Sequence, residues 1–160
     1  MIYIHIPFCK SRCLYCDFFS TTSSELKDDF VKALLKEIEG RAEELRFARA
    51  NTIYIGGGTP SQLDAKHLTD IFDALQRVAP LQDGAEVTIE CNPDDITPEF
   101  VDVLKATPVN RVSMGVQTFD DKLLRLLRRR HTSEQAHRAV SLLREAGYSN
   151  ISLDLMYGLP

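Results

Sequence analysis

Two periods of apolar residues alternate along this chain. In "IYIHI", Ile2, Ile4 and Ile6 alternate with Tyr3 and His5, the period of two that marks a strand. From Glu25 to about Phe47 the period lengthens, with Phe30, Leu34, Ile38 and Leu45 recurring at helical spacing. "NTIYIGGG" reads as a second strand over Thr52–Ile55 that runs into glycines, and Leu68, Ile71, Phe72, Leu75 and Val78 then share one face of a second helix. "EVTIE" predicts a third strand. Thr97 as cap and Pro98 at the first helical position start a short helix. "VNRVSMGV" predicts a fourth strand, and Asp120 opens the next helical stretch. Thr132 with Gln135 spells a capping box for a helix that ends at Gly147, and "ISLDLMY" predicts strand five.

Five strands separated by helices, with no hairpin signal, predict βαβ units, a parallel sheet and the α/β class. No Gly/Ser linker or low-complexity segment interrupts the chain, so one domain is expected over residues 1–160. Strand five is followed by no helix, although a parallel strand normally has both faces buried and both edges paired. The expectation is therefore the first part of a larger barrel, or a chain leaning on a partner, with apolar surface exposed beside strand five.

Composition narrows the classes. An apolar share of 44% over 160 residues supports a real core. The net charge of -4 gives no basic excess, which argues against nucleic acid as the main partner. No run of 18 apolar residues predicts a membrane segment. The start "MIYIHIPFCKS" is too short and too polar for a signal peptide, so a soluble, cytoplasmic protein is expected. In that reducing compartment, clustered thiols read as metal ligands or redox groups before disulfides.

Three of the four cysteines, Cys9, Cys13 and Cys16, form C-x3-C-x2-C directly after strand one. Gly56-Gly57-Gly58-Thr59-Pro60 follows strand two, Glu90-Cys91-Asn92-Pro93 closes strand three, Gln117 closes strand four, and Asp154 lies within strand five. Reacting groups of parallel barrels gather at the C-terminal strand ends, so these motifs predict one site. A disulfide among the three thiols would leave one unpaired. A structural zinc would need a fourth ligand such as His5, at an unusual spacing. Three thiolates on an iron–sulfur cubane would leave one iron open to a non-protein ligand. Cys91 lies outside that spacing and reads as a small, partly buried thiol. His5 reads as a strand histidine near the site rather than a ligand. The glycines read equally as a tight βα turn or as bare N–H groups facing an anionic or zwitterionic ligand. An acid such as Asp154 within a buried strand is costly unless it is paired or faces a site.

The cysteine motif, with Tyr15 just before its last cysteine, resembles the radical S-adenosylmethionine signature. Together with "YIHIPFC", "GGGTPS", "ECNP", "GVQTF" and "DLMYGLP" it resembles the branch holding oxygen-independent coproporphyrinogen dehydrogenase and the HemW-like haem chaperones. The resemblance covers nearly the whole chain. It implies the first five units of a partial (β/α)6 TIM-like barrel, and a [4Fe-4S] cluster on Cys9, Cys13 and Cys16. S-adenosylmethionine would chelate the open iron and could be cleaved to a 5′-deoxyadenosyl radical. Tyr3, Gly57, Gly58 and Thr59 would approach the cofactor, Tyr15 would lie against its adenine side, and Glu90, Gln117, Arg129 and Asp154 would supply polar contacts. For Arg128 and Arg130 the reading is a helix-end cation complementing the dipole. The implied partners are haem or a porphyrinogen, an electron-donor protein and a haem-acceptor protein, membrane-bound or not. The dehydrogenase pattern C-x3-C-x2-C-x-C and its extra N-terminal segment are not matched here, since Asp17 and Phe18 follow Cys16. The haem-chaperone branch is therefore expected, with haem as cargo and the porphyrinogen dehydrogenase as the alternative.

Overall fold

The computed structural model describes residues 1–47 and 51–159; Pro160, which closes the "DLMYGLP" motif, lies outside them. Five strands form one parallel sheet in the order β1-β2-β3-β4-β5: β1 Ile2–Ile6, β2 Thr52–Gly57, β3 Glu86–Cys91, β4 Arg111–Gln117 and β5 Asn150–Leu155. Sequential neighbours all run the same way, as consecutive right-handed βα crossovers require. The helices are α1 Lys27–Gly40, α2 Ala42–Phe47, α3 Ala65–Val78, α4 Pro98–Lys105, α5 Asp121–Leu126 and α6 Ser133–Glu145.

The period-two alternation divides the sheet into two unlike faces. Ile4, Ile6, Ile53, Ile55, Val87, Ile89, Val112 and Met114 are buried on one face against Leu68 and Ile71 of α3, Leu104 of α4 and Leu143 of α6. Each such side chain contributes about 1.5–3 kcal/mol by leaving water. Between them, on the opposite face, stand Tyr54, Thr88, Glu90, Arg111, Ser113 and Asp154. These polar residues hydrogen-bond across strands: Arg111 donates to Thr88 Oγ1 at 3.2 Å, and Ser113 and Ser152 share a 3.2 Å contact. Buried Thr88 and Ser113 thus meet the requirement that buried polar atoms be paired.

The caps follow the sequence. Thr97 accepts from the Phe100 N–H, Asp120 accepts from the N–H groups of Lys122 and Leu123, and Thr132 with Gln135 makes the full capping box. Gly147 ends the last helix at φ +95°, a conformation glycine adopts without penalty.

Three expectations are corrected. The single helix from Glu25 to Phe47 is a 3-10 turn, Ser24–Leu26, followed by α1 and α2. It breaks at Gly40 and Arg41, where a weak helix former stands. Strand four begins at Arg111 rather than Val109, and strand five ends at Leu155 rather than Tyr157. Strand five is not a buried strand: Leu153, Leu155 and Tyr157 are exposed, and so is Asp154. This is the apolar surface expected beside it. Among the described residues no helix is long and apolar enough to cross a membrane.

Candidate cofactor site

The strand ends carry the pocket. The cysteine loop leaves β1 and is tied down by backbone bonds: Cys9 N–H donates to Thr21 O at 2.8 Å, and Leu14 N–H donates to Leu127 O at 3.0 Å. These bonds hang the loop over the sheet, and Cys9, Cys13 and Cys16 line one pocket while half-buried. Thr59 Oγ1 donates to Cys9 Sγ at 3.5 Å, and Arg129 Nη1 donates to Cys13 Sγ at 3.3 Å. Donors aimed at a sulfur that ligates a metal would orient it in the site.

Arg129 is the hub. Besides Cys13 it reaches Tyr15 Oη at 3.5 Å and Asn92 Oδ1 at 2.6 Å, and it donates to the Gly115 carbonyl. Its Nε is buried without a protein partner. Burial pushes the Tyr15 phenol up to about 12, with the Arg129 charge pulling the other way. The segment bearing Arg129 follows α5. Arg128 turns the chain there at φ +56°, and the ring of buried His131 holds the Val116 carbonyl at 3.1 Å. Burial, reinforced by Arg129, lowers His131 to about 4. It is neutral at ordinary pH.

Arg130 does not act as a helix-end cation. It lies beyond α5 and pairs with Asp94 at 3.0 Å and Asp95 at 3.1 Å, in a largely buried cluster completed by Ser61, which donates to Asp95 at 2.7 Å. Arg128 is exposed at its turn. Burial and the neighbouring Asp95 charge raise Asp94 above the usual carboxylate range, and Arg130 opposes them. This cluster fastens the segment carrying Arg129 to the end of β3.

Of the two readings left open for the glycine trio, the structure favours the tight turn. The Gly57 N–H already donates to Glu90 Oε2 at 2.9 Å, and the Gly58 N–H donates to Ile6 O at 2.8 Å. Neither is left bare for a ligand. What the glycines provide is room, since a Cβ on Gly58 would stand 2.8 Å from the Pro7 carbonyl carbon, under the cysteine loop.

Of the residues singled out from sequence, Tyr15, Gly57, Gly58, Thr59, Glu90, Gln117, Arg129 and Asp154 line the pocket with the three cysteines. Gln117 does so from φ +68° at a register shift between β4 and β5. That left-handed backbone is uncommon for a residue other than glycine. Partial burial raises the Asp154 carboxyl, with Arg111 and Arg129 opposing. Tyr3 stands apart. It is outside the residues that line the pocket, half-exposed beside α1, and stacks on Tyr54 with ring centroids 6.1 Å apart. His5 lies behind the glycines, bonded to Tyr3 Oη at 3.1 Å and Phe19 O at 2.9 Å. Cys91 also lines the pocket but is buried, and burial pushes its thiol up toward the inert, protonated form. Asn92, within the motif that closes strand three, lines the pocket as well, whereas sequence reasoning passed over Ser113 and Arg130; Ser113 could have been found as the cross-strand partner of Glu90.

Three cysteines lining one pocket suit a multi-iron cluster, in which each thiolate takes a different iron.

The chain matches the family described as the Radical SAM superfamily over residues 3–160. It belongs to that superfamily. A radical SAM protein carries a [4Fe-4S] cluster and S-adenosylmethionine, and the thiol set, its sulfur-directed donors and the orphaned Arg129 Nε fit both groups. The chain is 42% identical over 160 residues to "Heme chaperone HemW" of Lactococcus lactis, and 42% identical to the protein of that name from Bacillus subtilis. These matches take in 99% of this chain and 41% and 42% of those proteins, so the chain spans about two fifths of their length. Among solved structures, coproporphyrinogen III oxidase (HemN) from Escherichia coli, described as a radical SAM enzyme, superposes with TM-score 0.89 at 33% identity. That match covers 99% of this chain and 37% of the oxidase. The five β/α units are therefore those of the TIM-like radical SAM barrel.

Proposed function

We propose that this chain is the cluster- and S-adenosylmethionine-binding core of a haem chaperone, a protein that binds haem and delivers it to an acceptor protein. The observation that carries the reading is the 42% identity to two proteins named as haem chaperones, against 33% to the structurally similar oxidase. Asp17 and Phe18 after Cys16 agree with it, because no thiol stands second after the last cysteine.

In this reading Cys9, Cys13 and Cys16, which line the pocket together, would hold three irons of the cluster and leave the fourth open to a non-protein ligand. When bound, the cluster supplies an electron that can cleave the sulfonium of S-adenosylmethionine. Thr59 and Arg129 direct donors at the cysteine sulfurs. Glu90, Gln117 and Asp154 line the pocket and would offer acceptors and donors to the cofactor's polar groups, and Tyr15 would lie against its adenine. An electron-donor protein would be needed to reduce the cluster, and a cytoplasmic setting would keep the thiols reduced.

The porphyrinogen dehydrogenase is the second reading, favoured by the close superposition on the oxidase. The full-length protein, reconstituted anaerobically and supplied with haem or coproporphyrinogen III, separates the two. Stoichiometric haem binding without porphyrinogen turnover is the expected result. Conversion of coproporphyrinogen to protoporphyrinogen would replace this reading with the dehydrogenase.

A further inference from the structure

We infer that Tyr54 is a positioning residue for Glu90, and that the glycines after β2 exist to let the two meet. This rests on the reading that S-adenosylmethionine occupies the cysteine pocket. Tyr54 pairs in register with Thr88, which places Glu90, two residues on, on the same face and one pleat nearer the pocket. The Tyr54 hydroxyl donates to Glu90 Oε1 at 2.6 Å, and the Gly57 N–H donates to Oε2 at 2.9 Å. One donor would leave the carboxylate free to rotate about its terminal bond. Two donors on two different oxygens fix its plane and leave its remaining lone pairs for the pocket that Glu90 lines.

Neighbouring residues are shaped to this contact. A Cβ on Gly56 would stand 2.7 Å from Tyr54 Cε1 and 2.9 Å from Glu90 Cδ, so any side chain there would part the pair. Gly57 turns its N–H to the carboxylate at φ +115°, and a Cβ there would meet the His5 ring at 2.5 Å. Tyr3 stacks on the Tyr54 ring at 29° and holds it from the far side. Tyr3 thus bears on the site through Tyr54 rather than by lining the pocket. Burial and the bond to Glu90 push the Tyr54 phenol up, so it stays a donor.

The test uses the full-length protein with its cluster reconstituted, titrated with S-adenosylmethionine by equilibrium dialysis. Tyr54→Phe should weaken binding about 10- to 100-fold, the loss of one hydrogen bond to a charged acceptor. Glu90→Gln should weaken it at least as much, and the double variant should bind no worse than Glu90→Gln alone. Iron and sulfide content should stay at the wild-type level throughout. Unchanged affinity in Tyr54→Phe, or additive losses in the double variant, would overturn the inference. A second readout needs no cofactor: the carbon-13 resonance of the Tyr54 ring in the folded protein at neutral pH. Glu90→Gln should shift it by weakening the hydroxyl's hydrogen bond, and an unmoved resonance would overturn the pairing. Should the wild-type protein hold its cluster but bind no S-adenosylmethionine, the proposed function fails, while the resonance measurement still decides the Tyr54–Glu90 pair.

Discussion

The two faces of the sheet are built from the same strands by opposite rules. On the helix-covered face, Ile4, Ile6, Ile53, Ile55, Val87, Ile89, Val112 and Met114 pack without polar atoms, and almost nothing on that side touches the pocket. On the other face, Tyr54, Thr88, Glu90, Arg111 and Ser113 form a polar layer held by hydrogen bonds between side chains, with Asp154 beside them on β5. A parallel strand with one apolar and one polar face departs from the apolar run usual when both faces are buried. The difference teaches that stability and chemistry are separated by strand parity. A single step along a strand moves from one to the other.

That separation can be broken or sharpened by substitution. The largest loss should come from the apolar face. Ile55→Ala should cost about 2–5 kcal/mol in urea unfolding, while folded protein keeps its cluster and its affinity for S-adenosylmethionine. An equal fall in affinity would show that the faces are not independent. Next comes Arg130→Ala, which leaves Asp94 and Asp95 facing each other without their cation. A loss of about 2–3 kcal/mol is expected, near the low end for a broken buried pair because some solvent reaches it. Weakened cofactor binding should accompany this loss, since Arg130 anchors the segment that carries Arg129. Loss of stability with unchanged binding would make the cluster purely structural.

The effect confined to the narrowest range of conditions is on pH dependence. His131 is lowered from 6.5 to about 4 by burial, with Arg129 and Arg130 adding to the shift and Asp121 opposing it. The unfolded chain therefore binds more protons between those values. Stability should fall as pH drops from 6.5 to about 4 and flatten below. Against the wild type, His131→Gln should remove that part of the slope in unfolding curves taken across the range. Identical slopes would mean that His131 titrates alike in both states.

The strand order, the caps at Thr97, Asp120 and Thr132, and the gathering of motifs on one rim were all legible from period, capping residues and position relative to strand ends. Those signals are local, and local chemistry decides them. What could not be read depends on partners distant in sequence. Arg130 pairs with Asp94 and Asp95 some 35 residues away. The Gly57 N–H is taken by Glu90, 33 residues on. The break at Gly40 was missed because the apolar spacing continues through it to Leu45. Asp154 was read as lying in a buried strand because its neighbours are apolar, yet Leu153 and Leu155 are themselves exposed.

On the proposed function, Cys9, Cys13 and Cys16 would hold a cluster by three sulfurs and leave its fourth iron to S-adenosylmethionine in the pocket that Glu90 and Arg129 also line. Electron paramagnetic resonance of the reduced, anaerobically reconstituted protein, with and without S-adenosylmethionine, tests it most directly. A [4Fe-4S] signal that shifts on adding the cofactor is predicted, lost in alanine variants of those three cysteines and kept in Cys91→Ala. A signal that ignores the cofactor, or survives removal of all three thiols, would contradict the account.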